Sequence, residues 1–82
     1  MINQWMITVD YIENGQANGR KSTGFKSGIK MPVRFKIYDD DMNLYFEGVM
    51  KEADFHPLDE FAAAYGCVHV KISEDGKPFT WL

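Results

Sequence analysis

The stretch IKMPVRFKIYDDDMNLYFEGVM, residues 29–50, decides the reading of the fold. Its first part alternates. Ile29, Met31, Val33, Phe35 and Ile37 fall on one side of an extended chain, and Lys30, Pro32, Arg34 and Lys36 on the other. Period-two alternation is the mark of a half-buried strand. LYFEGVM then reads as a second strand, and the polar run between them as the reversal. Opposing Ile37 to Leu44 places Phe35 opposite Phe46 and Val33 opposite Gly48 on the core side. It also places Arg34 opposite Glu47 on the outer side. A slip of one residue would bring Glu47 into the core, because it exchanges the two faces of a strand. The expected register therefore leaves residues 39–42 as the turn.

The flanking segments extend the same pattern. NQWMITVDYI predicts a strand with Trp5, Ile7, Val9 and Tyr11 inward. ENGQANGRKSTGFKSG carries four glycines and two Asn-Gly steps, which supply the positive φ angles of tight turns. A short edge strand over residues 20–26 and a plain loop are both compatible with it. HPLDEFAAAYG predicts a short helix. Pro57 suits its first position, Asp59 and Glu60 complement the dipole of its first turn, and Gly66 ends it. Leu58, Phe61, Ala62 and Tyr65 form its apolar stripe. CVHVKI predicts a strand with Val68, Val70 and Ile72 inward. Asp75-Gly76 predicts a two-residue turn, which sets Ile72 opposite Phe79 and Val70 opposite Trp81. The expected fold is α+β: a mostly antiparallel sheet of four or five strands with one short helix on one face, in the order β-β-(β)-α-β-β.

With 82 residues the chain is expected to form a single domain over residues 1–82. Hydrophobic residues at 45% and aromatics at 15% supply a core and exclude a disordered chain. The single cysteine, Cys67, forms no internal disulfide and fits a reducing compartment. The N-terminus lacks the basic start and apolar run of a signal peptide, and no apolar run reaches membrane-spanning length. The expected setting is cytoplasmic, without a membrane partner.

Net charge is −3, unevenly spread. Between positions 20 and 36 stand six bases, Arg20, Lys21, Lys26, Lys30, Arg34 and Lys36, and no acid. Between positions 39 and 60 stand eight acids against Lys51 alone. Such asymmetry marks candidate interaction surfaces, although the two halves can also neutralise each other across a sheet.

Four constellations bear on chemistry. Asp39, Asp41 and Asn43 match the alternating start of a calcium loop, but Leu44 stands at the required glycine and Met50 at the bidentate glutamate. Solvated turn carboxylates explain the acids better, since aspartate bonds local amides in turns. Cys67 and His69, two apart on a strand, share a face, with His56 nearby. A zinc site needs more ligands than these, and a thiol nucleophile needs an orienting partner. NGRKSTGFKSG matches neither phosphate-loop pattern. Its bases with Phe25 could bind nucleic acid, against which stands an isoelectric point of about 5.2. Asp59 and Glu60 read as dipole complements rather than an acid–base pair. No metal, cofactor or catalytic residue is assigned.

YDDDMNLYFEG, followed by FHPLDEFAAAYGC, resembles a group of small uncharacterised bacterial and phage proteins with a YDDD-x-x-L-Y-[YF]-E-G stretch, an F-x-P-L-D-x-F stretch and a G-C. The resemblance covers residues 38–82 and brings no activity, cofactor or catalytic residue with it. It implies a setting in which small single-domain proteins bind and block a host protein, including host defence complexes. The expectation is a non-enzymatic protein-binding module, an inhibitor of a host protein or complex. Contacts are expected at Asp39, Asp40 and Asp41 and at Arg20, Lys21, Lys26 and Lys30. Nucleic-acid binding through residues 20–36 is the alternative, and a small metal or thiol protein using Cys67 and His69 the second. A homodimer formed through an exposed edge strand is a further expectation.

Overall fold

A computed structural model describes residues 4–12, 15, 19–22, 26 and 28–82. Three strands come first: β1 (Trp5–Asp10), β2 (Val33–Asp39) and β3 (Leu44–Met50). The helix α1 (His56–Tyr65) follows, then β4 (Cys67–Glu74) and β5 (Thr80–Trp81). They form one sheet in the order β1-β3-β2-β4-β5, with every neighbouring pair antiparallel. The α+β reading with one short helix holds. The helix packs on one side of the sheet, and among the described residues no element packs on the other, open side.

The core lies between sheet and helix. Ile7, Phe35, Ile37, Phe46, Met50, Val70 and Phe61 are fully buried there. Aromatic rings carry much of it. Phe46 stacks on Phe61 with centroids 4.3 Å apart, and Trp5 meets the edge of Phe61 at 5.8 Å. Arranged in this way, ring pairs add roughly 0.5–1.5 kcal/mol each beyond the area they bury. The helix forms as its sequence predicts. Pro57 sits in the first turn, and Gly66 closes the last turn at φ 66°, donating its amide to the Ala62 carbonyl at 2.9 Å. Asp54 accepts the His56 amide at 3.0 Å, satisfying one of the unpaired donors at the start.

The central hairpin keeps its expected faces but not its expected register. Phe35 lies opposite Gly48, Ile37 opposite Phe46 and Val33 opposite Met50. This is two residues from the expected pairing, a shift that leaves the core face unchanged. The turn explains the shift. Asp39 stays in the strand, bonds its amide to the Asn43 carbonyl at 3.1 Å, and the reversal runs through Asp40, Asp41 and Met42, the last at φ 65°. A three-residue hairpin loop ending in a left-handed residue has this form. Tyr45 is then an extra residue in β3, since Tyr38 already pairs with Leu44.

Extra residues of this kind, β-bulges, also correct three other expectations. Thr8 is extra in β1, so Asp10 rather than Tyr11 turns toward the core face, and Tyr11 is 47% exposed. Val68 is extra in β4, so Cys67 is buried and Val68 is 51% exposed. After the Asp75-Gly76 turn, Lys77 bonds to Glu74 at 3.0 Å as expected, but Ile72 pairs with Thr80 and Lys71 with Trp81. Pro78 has no amide to offer a ladder, and the Ser73 hydroxyl bonds to the Lys77 carbonyl beside it. The inserted residue sends Phe79 and Trp81 to the open face, not to the core.

Among the described residues of the possible edge strand at 20–26, Lys21 forms a bridge with Met6. Ile7 donates to the Arg20 carbonyl and Ser22 to the Trp5 carbonyl, each at 2.9 Å. Residues 20–22 thus occupy the outer edge of β1, where a second copy would otherwise pair. Residues 23–25 and the asparagines of both Asn-Gly steps lie outside the described residues.

Gly48 is the tightest point of the sheet. A Cβ there would meet the Met6 carbonyl oxygen and the Phe35 ring, whose Cζ would lie 2.5 Å away. Gly48→Ala should therefore destabilise the domain by about 2 kcal/mol or more, the scale of core overpacking. Gly66→Ala, which meets open space, should cost only about 1–2 kcal/mol for its left-handed conformation. Urea melts of the two variants check the order.

Candidate binding face

The open side of the sheet gathers cations and rings. Arg34, Lys36 and Tyr38 alternate along β2, opposite the core residues Val33, Phe35 and Ile37. Across β4, Tyr38 pairs with His69, Lys36 with Lys71 and Arg34 with Ser73. Phe79 and Trp81, carried here by the bulge, complete the surface. Successive same-face residues on a strand are about 7 Å apart, twice the rise per residue, so the groups form one connected patch.

The contacts within it are mostly cation on ring. Lys36 Nζ lies 4.5 Å from the Phe79 centroid and the Arg34 guanidinium 5.4 Å from it. Lys71 Nζ lies 4.5 Å from Trp81 and 5.5 Å from Tyr38. Trp81 meets Tyr38 edge-on at 5.4 Å and the His69 ring at 5.7 Å. At exposed positions each such cation–ring contact is worth roughly 0.5–1 kcal/mol. Trp81 is nonetheless 48% exposed, a large ring held in place but open to a partner. Burial and the nearby Glu47 carboxylate raise the pKa of Tyr38, so its hydroxyl stays neutral. Glu47, the acid opposite Lys36, accepts the Tyr11 hydroxyl.

The acidic tip is organised by Asp39. Its Oδ1 accepts the amides of Asp41 at 3.0 Å and Asn43 at 2.8 Å, and its Oδ2 accepts the Asn43 side-chain amide at 3.0 Å. These bonds, the Asn43 side-chain amide foremost and the Tyr45 hydroxyl among them, hold the carboxyl below the ordinary aspartate value of 3.8. Asp39 is buried, whereas Asp40 and Asp41 are exposed. The three carboxylates lie close enough to share an ion, but Asp39 is already committed to closing its own turn.

The basic segment is divided rather than continuous. Arg20 lies on the helix side, 5.5 Å from the centroids of both Phe61 and Tyr65, and donates to the Tyr65 hydroxyl at 2.9 Å. Lys21 pairs along β1, Lys26 bonds its amide to Gln4 Oε1 at 3.3 Å, and Lys30 is exposed ahead of β2. Arg34 and Lys36 stand on the open face. Their partners Lys71, Tyr38, Phe79 and Trp81 were not among the expected contacts. Alternation marked Lys71 as outward, but nothing marked Phe79 and Trp81, which the sequence pattern assigned to the core.

Cys67 and His69 are separated by the same kind of irregularity. With Val68 bulged, Cys67 points into the core at 1% exposure while His69 faces out toward Trp81. Burial, assisted by the Asp39 charge, pushes the thiol up to about 11. A shallow groove lies on the helix side of the β4–β5 hairpin, lined by Ile72, Glu74, Lys77, Pro78 and Thr80. No family model matches the chain, and no match is found among the curated proteins or the solved structures.

Two outcomes follow from these environments. Asp39 has a depressed pKa, so its stabilising contribution is fully present above the ordinary aspartate range and is lost as pH falls through the lowered value. Asp39→Asn should lower stability at neutral pH and flatten the acid limb of a stability–pH curve followed by urea melts. Cys67 should resist iodoacetamide at pH 8 in the folded protein and react on unfolding, because the thiolate is the nucleophile. Mass spectrometry of the alkylated protein checks this.

Proposed function

We propose that this chain is a non-enzymatic binding module that docks the open face of its sheet against a protein partner with an acidic surface. The observation that carries the reading is the joint display of Arg34, Lys36, Tyr38, Lys71 and Trp81 on a face that no other described element covers. Tryptophan, tyrosine and arginine dominate the energetics of protein interfaces, because each buries a large area and keeps a polar end to orient a partner. The cations give the face the sign opposite to that of the whole chain, which steers an acidic partner to it.

Single-stranded nucleic acid is the second reading, favoured by the interleaving of cations and rings. Two features favour protein over it. The cationic stretch is short and ends at the exposed Asp40 and Asp41, which would repel a continuing phosphate backbone. The faces of Phe79, Trp81 and Tyr38 already carry Arg34, Lys36 and Lys71, which leaves less open ring for stacked bases. The setting implied by the resemblance of residues 38–82 puts host defence proteins first among partners to try, with inhibition as the outcome. The reduced, buried Cys67 suits a cytoplasmic site of action.

The test is affinity capture from bacterial lysate with three baits: wild type, Tyr38→Ala/Trp81→Ala, and Asp40→Ala/Asp41→Ala. Loss of a hot-spot ring costs about 2 kcal/mol or more, so the open-face variant should recover the partner at least about tenfold less well. The tip variant should capture it as wild type does. Loss through the tip variant alone would move the contact to the acidic loop. Recovery that disappears on nuclease treatment would favour nucleic acid.

A further inference from the structure

Lys36 and Lys71 are direct cross-strand partners at the centre of the open face. Directly opposed like charges destabilise a sheet, because their β-carbons are only about 5 Å apart. Lys36 has a neighbouring acid, Glu47, on its other side. Lys71 has none across either strand. Its direct partners are Lys36 on β2 and Trp81 on β5, and its diagonal neighbours on β2 are Arg34 and Tyr38. Its rings offset part of the repulsion from Lys36 but supply no counter-charge.

The surrounding rings give the pair a defined shape. Phe79 draws the Lys36 ammonium to one side and Trp81 with Tyr38 draws Lys71 to the other, each lysine Nζ lying 4.5 Å from the ring it covers most closely. Each ammonium group is thereby placed against ring surface, and the Arg34 guanidinium lies beside the same Phe79 ring as Lys36.

We infer that this lysine pair is a seat for a single carboxylate, supplied by a glutamate or aspartate of the protein partner. The inference rests on the open face being the contact surface, and it names the group that anchors there. Arg34, Lys36 and Lys71 with Glu47 beside them leave the face net positive, and a carboxylate offsets part of that charge. A row of phosphates would need the cationic stretch to continue, and it ends at the acidic turn of residues 39–41. The methylenes of the partner's acidic side chain would lie against Trp81 and Phe79, so an acid flanked by an apolar residue fits best.

The probe is a terminally blocked Glu-Glu-Leu-Glu peptide, titrated into the isotopically labelled full chain and read by NMR at the lysine side chains and the Trp81 indole. Its Gln-Gln-Leu-Gln counterpart and oligothymidylate are titrated in parallel. The acidic peptide should give saturable shifts at Lys36, Lys71 and Trp81. Its affinity should exceed that of the glutamine peptide about tenfold and weaken with added salt. Lys71→Gln should reduce binding about tenfold, while Lys71→Arg should retain it. Equal binding of the two peptides, unaltered binding by Lys71→Gln, no saturable shift at millimolar peptide, or tighter binding of oligothymidylate would each overturn the carboxylate seat. If Tyr38→Ala/Trp81→Ala abolishes partner capture while Lys71→Gln does not, the seat falls and the open face remains the contact surface. If neither variant affects capture, the reading of the face falls as well.

Discussion

Everything on the two faces of this sheet depends on the absence of a side chain at Gly48. The Phe35 ring lies over it from β2 and the Met6 carbonyl approaches it from β1. No larger residue fits, so β1, β2 and β3 are held at one alignment by a single atom's worth of space. That alignment places Ile37 against Phe46 and Val33 against Met50 in the core. It equally places Lys36 between Glu47 and Lys71 on the other side. Packing on the buried face thus sets the charge geometry of the open one.

The parts of this arrangement legible in the sequence are those with a local physical signature. Alternation through Val33, Phe35 and Ile37 identified the core face of β2, and it survived a register shift because that shift was even. Pro57, Gly66 and the Asp75-Gly76 pair marked their ends and turns through backbone preferences that act within a few residues. The bulges at Thr8, Tyr45, Val68 and after Pro78 left no comparable trace. A single inserted residue changes no composition and breaks alternation only beyond itself, so Phe79 and Trp81 read as core residues. Pro78 was the one visible hint, since it supplies no ladder donor. The candidate face was accordingly half legible: Arg34, Lys36 and Lys71 as outward cations, but not the rings that hold them.

Charge segregation along the chain also takes on a different meaning in three dimensions. The acidic run is not a single patch, because Asp39 turns its charge inward to organise the turn while Asp40 and Asp41 face solvent. The basic run is not a single patch either, because Arg20 packs over Phe61 and Tyr65 on the helix side. Arg34 and Lys36 from that run reach the centre of the open face, where they join Lys71 from a distant part of the sequence. A surface defined by contiguity in sequence is replaced by one defined by strand pairing.

One inserted residue after the last turn carries Phe79 and Trp81 out of the core and onto the cationic face. Nuclear Overhauser contacts from these two rings test it most directly. Cross-peaks are expected from Trp81 to the Lys71 side chain and the Tyr38 ring, and from Phe79 to Arg34 and Lys36. Cross-peaks from Trp81 or Phe79 to the core residues Val70 and Leu58 instead would contradict it, restore the uninterrupted hairpin and dissolve the binding face.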